Sequence, residues 1–397
     1  MNHINSNKIP SASFLIHISL GFFLFFRPQI IHPIFSSVLL VAFLGILYLL
    51  YKPKAINEII GLLGIPAALS LLFIMIWSVI IDVHLGAIQI LGLRSQFGAS
   101  IRVIVQIAAS FYFVKVCMKS DQDYFRKVIF GILFIQVVFA IAMFISMDFK
   151  DFIYRSISGY DGSEKMYRSH FIGSRIYGWS EELFYLAPVF MVFSFAIYFP
   201  KKISLLSIVS FFIVFIVAIF NARLAIVGLF FGLLVRFGIR KALSIGLFFI
   251  IFFMVLLLYL EHPAINMVTA EFETGGSRTL RILIDDHIHY LLNGAEIFFG
   301  NHYYLYGWPG RQFGSDIGWI IILNYGGYFY SLAWLIFVCS VCVRAFPVGS
   351  HSVYVFLLVV CVAVKGLAFS GNALIAFLLC LTFIGGYRPI TCRSLKQ

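Results

Sequence analysis

The chain has 397 residues, with 29 Lys+Arg against 17 Asp+Glu, a formal charge of +12, 61% apolar types and only 12% charged residues. Soluble domains carry about 25% charged residues, so neither a water-facing globule nor a disordered chain fits this composition. The basic residues stand in ones and twos between apolar runs, the pattern of positive-inside loops rather than of a nucleic-acid surface.

The composition reads as an all-α, polytopic integral membrane protein. A bilayer core takes about 20 apolar residues per helix. On that measure, spans are expected near 13–26, 34–51, 60–81, 101–118, 128–147, 183–199, 203–220, 224–237, 242–260, 316–343, 352–369 and 372–387. That makes about 12 transmembrane helices, within a range of 10–14, in a single transmembrane domain over 1–397. The first run ends at Arg27-Pro28 without a small-residue cleavage site, so it reads as a retained span, not a signal peptide. Gly326-Gly327 is placed to break the tenth span into a short helix and a longer one.

Cys117, Cys339, Cys342, Cys361 and Cys380 fall in apolar stretches and Cys392 in the tail, so the CxxC spacing of Cys339 and Cys342 reads as inert core. With the N-terminus inside, 16 of the 29 basic residues fall in inner short loops and tails, against only Glu58, Asp121 and Asp123 among the acids. Both termini are therefore expected to be cytoplasmic, and 14 of the 17 carboxylates then lie on the outer side.

Two long outer loops are expected, 148–182 and 261–315. Loops of this length are usually functional or disordered, and these are rich in Tyr, Trp, His and paired charges.

Four constellations could carry chemistry. Arg175-Ile-Tyr-Gly178-Trp-Ser-Glu181-Glu182 closes the first long loop; the carboxylates either complement a helix dipole or join Arg175 in a site. Asn221-Ala-Arg223 joins two spans with almost no loop. Arg223 there either snorkels to lipid phosphate or is held for an anionic substrate.

In Gly276-Ser277-Arg278-Thr-Leu-Arg281, followed by Asp285, the arginines and the aspartate share one helical face. Two arginines in a first helical turn oppose the dipole unless an anion binds between them; the plain alternative is an exposed interfacial helix. Asp285, Asp286, His287 and His289 are the alternative as metal ligands, but adjacent residues point different ways on a helix, and no metal or cofactor is expected. Finally, Ser315-Asp316-Ile-Gly-Trp319 opens the tenth span. Asp316 is either an N-cap or a base for a hydroxyl, and Trp319 suits a sugar face or an interfacial belt.

These segments resemble those of the bacterial O-antigen polymerase and ligase superfamily, and in particular the Wzy-type polysaccharide polymerases. Arg175, Gly178 and Glu181 match an Arg…Gly…Glu stretch entering a span, and Asn221-Ala-Arg223 matches a Ser/Asn-x-Arg turn. Gly276-Ser277-Arg278 matches a Gly-Ser-Arg segment of the large loop, and Ser315-Asp316 with Gly326 match the polar pair that opens the next span. Ligases commonly place a histidine at that last position, and its absence favours a polymerase.

The resemblance implies glycosyl transfer on the periplasmic face of the bacterial inner membrane. The donor is a glycan on undecaprenyl pyrophosphate and the acceptor a hydroxyl of the next lipid-linked unit, in O-antigen or capsule synthesis. Arg223, Arg278 and Arg281 would neutralise the pyrophosphate, and Asp316 or Glu181 would take the hydroxyl proton. Arg175, Glu182 and Trp319 would bind substrate. The implied partners are that lipid-linked glycan, membrane lipids and a polysaccharide chain-length regulator. A ligase onto lipid A–core and, from another class, a flippase of lipid-linked oligosaccharide remain the alternatives.

Overall fold

The computed structural model describes residues 11–31, 35–84, 96–158, 186–200, 204–222, 224–259, 292, 294–302, 317–365, 368–369 and 371–388. These residues are helical apart from one minimal antiparallel ribbon, β1 (Gln29–Ile31) and β2 (Phe35–Ser36), which pairs Gln29 with Ser36. In chain order the helices are α1 (Ser11–Phe26), α2 (Ser37–Tyr51), α3 (Lys54–Leu63), α4 (Ile65–His84), α5 (Gln96–Tyr112, continued by a π turn Phe113–Cys117), α6 (Gln122–Ile145) and α7 (Met147–Ser158). There follow α8 (Leu186–Ile197), α9 (Leu205–Asn221), α10 (Ala225–Phe237), α11 (Ile239–Tyr259), α12 (Glu296–Phe299), α13 (Gly318–Ala345), α14 (Gly349–Val362) and α15 (Ala373–Ile384).

Three stretches are long and apolar enough to cross a bilayer: Gly98–Cys117, Gln122–Ile145 and Gly318–Ala345. A fourth arises if α2 and α3, bent by 117° at Lys52-Pro53, are taken as one broken span. Seven further apolar helices are 10–17 residues long. Large apolar side chains stay exposed along their flanks, among them Leu69, Ile76 and Ile80 on α4 and Phe134 and Ile141 on α6. A water-soluble monomer does not tolerate so continuous an exposed apolar surface. The protein is embedded in a membrane.

A described helix overlaps each expected span, but only the three or four stretches above are long enough to cross a bilayer, and three segments depart from expectation. The stretch 60–81 is not one helix: Gly64, at φ +87°, ends α3 and α4 starts afresh at Ile65. The reason is periodicity, since α3 buries only Ala55, Ile59 and Leu63, one face of an amphipathic helix. The segment expected as loop from 148 opens as helix α7, again amphipathic. The stretch 352–369 is α-helical only to Val362 and tightens into a 3₁₀ turn at Ala363–Lys365.

Helix ends follow local chemistry. Asp121 caps α6 by accepting from the N–H groups of Asp123 (2.9 Å) and Tyr124 (3.1 Å). Ser204 and Ser207 form a reciprocal capping box on α9, and Asn372 caps α15 through Ile375 N–H at 2.9 Å.

The core forms around α8, which is buried over its whole described length. α10 packs tightly on it, because Gly228 lies against the Val189 carbonyl and Gly232 against Ala196, where a side chain would collide. Phe377 of α15 meets Phe25, Phe125, Phe190 and Phe193 at ring-centroid distances of 5.4 to 6.4 Å.

Several helix ends meet at one end of this body. The Tyr387 hydroxyl, just past α15, donates to the Ile197 carbonyl at 2.8 Å. Arg236, in the last turn of α10, donates from Nε to the Phe199 carbonyl at 2.9 Å. Gln122 of α6 donates to the Arg388 carbonyl, and Tyr387 N–H to the Ala345 carbonyl.

Candidate functional site

Of the residues singled out from the sequence, Arg175, Glu181, Glu182, Arg223, Arg278, Arg281 and Asp316 lie outside the described residues, as do Asp285, Asp286, His287 and His289. Trp319 is described, and so are the elements that flank Arg223 and Asp316.

α10 and α15 are short. At about 1.5 Å per residue, the 13 residues of α10 and the 12 of α15 reach only about 18–20 Å from the end where both meet the C-terminus of α8. A hydrocarbon core is about 30 Å thick, and α6, which starts at the same end, has 24 residues. Both helices are therefore shorter than the core of a bilayer.

The start of α10 has a particular electrostatic character. Leu224 precedes it with no side-chain cap, and its first turn contains no acid. The turn closes on itself through Ala225 N–H to the Ala222 carbonyl and Gly228 N–H to the Leu224 carbonyl. What this end offers an anion is thus the positive pole of the helix rather than an array of free N–H groups.

Asn221 closes α9 on the other side of the same turn. It is buried; its Nδ2 donates to the Val217 carbonyl at 3.0 Å, while its Oδ1 has no hydrogen-bond partner among the described residues. Arg223 falls in sequence between these two features.

The second arrangement lies where the large loop returns to α13. Gly327, at φ +72°, breaks α13, as the Gly-Gly pair suggested. A Cβ on Gly327 would strike the Phe298 carbonyl, and one on Gly300 would strike the Tyr325 carbonyl, so the chain after α12 lies directly on the break. Asn301 donates its N–H to the Asn324 carbonyl at the break at 2.8 Å and its Nδ2 to Asn324 Oδ1 at 3.0 Å. Ser331 donates to the freed Gly327 carbonyl at 2.9 Å. Phe299 stacks on Trp77 of α4 at 6.0 Å, and the Tyr325 hydroxyl donates to the Ser78 carbonyl. The segment 298–301 is thereby fixed to α4 and α13.

Trp319 is partly buried and is the second residue of α13. Its Nε1 donates to the Val360 carbonyl at 3.0 Å and its ring lies 4.2 Å from that of Phe369. The indole N–H is therefore committed within the protein.

The structure adds polar residues that the sequence reading passed over. Gln106 of α5 is fully buried and donates to the Asn372 carbonyl at 2.6 Å, while Gly371 packs against the Arg102 carbonyl. Arg102 and Gln106 are one helical turn apart, the one sequence signal that marks them as a pair. Lys150 of α7 is 6% exposed, and burial pushes its ammonium down to about 8. Among the described residues, no group of three or more His, Cys, Asp or Glu stands close enough to hold a metal ion.

No family model, curated protein or solved structure matches the chain.

Proposed function

We propose that the protein is a membrane glycosyltransferase that polymerises oligosaccharide repeat units carried on undecaprenyl pyrophosphate, as the resemblance to Wzy-type polymerases implies. In this reading the apolar helices make about twelve crossings of the bacterial inner membrane, both termini are cytoplasmic, and transfer occurs on the periplasmic face. The supporting charge pattern is the end where α6, α8, α10 and α15 meet, which carries Arg126, Lys127, Arg236 and Arg388 and suits the cytoplasmic side.

The observation that carries the reading is the start of α10. It is a helix N-terminus without a side-chain cap and free of acids, with Arg223 just before its Leu224 cap position in sequence. The positive pole of such an end favours a phosphate-bearing group, and a diphosphate leaving group on a lipid has to be met within reach of the bilayer.

In the transfer, a hydroxyl oxygen of the acceptor sugar attacks the anomeric carbon of the donor. The bond from that carbon to the pyrophosphate oxygen breaks, and its electron pair leaves with the lipid pyrophosphate. Arg223, Arg278 and Arg281 offset the charge that develops there. Asp316 or Glu181 accepts the proton from the attacking hydroxyl.

The test is the length profile of surface polysaccharide, by gel, from cells lacking the protein. Lipid A–core bearing a single repeat unit with no ladder above it is the expected result. Bare core would overturn the reading in favour of a ligase or a flippase, and the location of the accumulated lipid-linked glycan would then separate those two.

A further inference from the structure

We propose that α3, with Lys52 and Lys54 at its start and Arg344 at its end, is a docking surface for anionic phospholipids of the adjacent leaflet. α3 turns away from α2 by 117° and therefore runs across the end of the helical body. It packs on the ends of α13 and α15 through Ala55, Ile59 and Leu63, while Ile56 and Ile60 stay exposed beside Leu50 and Tyr51. An apolar strip on a helix lying across the end of a bundle fits the boundary between headgroups and acyl chains.

Charge names the occupant. Lys52, Lys54 and Arg344 are exposed and, among the described residues, none is ion-paired. Lys52 instead leans over the Tyr48 ring, 5.5 Å from its centre. Arg344 lies over the glycine that ends α3, where a Cβ on Gly64 would stand 3.1 Å from its Nη2.

The three acids at this end are engaged already. Glu58 pairs with Lys115 at 2.9 Å, Asp123 with Arg126 at 3.7 Å, and Asp121 caps α6. Three exposed cations around an exposed apolar strip, with the local carboxylates taken, complement a phosphate headgroup above an acyl chain. The inference is independent of the glycosyltransferase reading, because it concerns the end of the body away from the start of α10.

The full-length protein in nanodiscs of mixed phosphatidylcholine and phosphatidylglycerol tests it, with retained lipid counted by native mass spectrometry. Wild type is expected to retain phosphatidylglycerol preferentially. Lys52→Gln and Lys54→Gln are each expected to lower that preference about fivefold, and Ile56→Ser with Ile60→Ser to lower retention of both lipids at this surface. The lysines are exposed, so folding is kept and the thermal midpoint in neutral discs serves as the control. Unchanged preference in the lysine variants would overturn the proposal. Loss of the preference on adding soluble glycerol phosphate would overturn it too, since that outcome describes a free-anion site rather than a leaflet.

Discussion

Asn301 binds Asn324 twice, main chain to main chain at 2.8 Å and side chain to side chain at 3.0 Å. Through this pair the segment 298–301 is fixed to a helix broken at Gly327. Asn301→Ala leaves the buried Asn324 Oδ1 without its donor and is expected to cost about 1–3 kcal/mol. Gly327→Ala is expected to cost more, because alanine at positive φ adds about 1–2 kcal/mol of backbone strain to a collision with Phe298. Thermal midpoints in detergent, together with proteolytic cutting within 294–302, check both; unchanged midpoints would show that the loop is held elsewhere.

Arg223→Ala and Arg278→Ala are expected to remove polymer while leaving the protein inserted and abundant, as read by the polysaccharide ladder beside an immunoblot of membranes. Arg223→Lys keeps a charge but loses the planar fork and is expected to retain short chains. A wild-type ladder from both alanine variants would refute the pyrophosphate role.

Trp319→Phe preserves the packing on Phe369 and removes the hydrogen bond to Val360, at a cost of about 1 kcal/mol. Trp319→Ala also removes the ring, at about 3–5 kcal/mol. If the ring face meets sugar, the Phe variant is expected to keep its ladder and the Ala variant to lose it at equal membrane abundance. A ladder lost in both would point to the hydrogen bond instead.

Lys150 gives a pH test. Its folded value near 8 lies below the ordinary lysine value of about 10.4. Between these values the unfolded chain holds a proton that the folded chain has released. Stability is therefore expected to rise as pH increases from about 8 to about 10.4, by on the order of 3 kcal/mol. Lys150→Met is expected to flatten the rise, and an equal slope in wild type and variant would remove Lys150 as its source.

The helices were legible because apolar run length is a strong signal. The run 224–237 and helix α10 (Ala225–Phe237) agree to a residue, and the break at Gly326-Gly327 follows from glycine's lack of a Cβ. The division at Gly64 was missed because α3 carries enough isoleucine and leucine to extend the neighbouring apolar run, although their spacing covers only one face. Gln106, Arg102 and Lys150 were passed over for a different reason. A single polar residue in a helix acquires meaning only from what other helices bring beside it, as Asn372 and Gly371 do for α5. The arginine and carboxylate motifs were readable as chemistry but not as geometry, because their arginines and carboxylates all fall outside the described residues.

The shortness of α10 and α15 also has an electrical consequence. In the proposed reading, an anion met at the start of α10 is held inside an insulating layer about 30 Å thick. Moving a unit charge across the whole layer takes about 2.3 kcal/mol per 100 mV, so for a charge a third of the way in the work is roughly 0.8 kcal/mol. Occupancy by a charged ligand would then change about fourfold per charge for every 100 mV, and the energised state of the cell would enter directly into how strongly such a ligand is held.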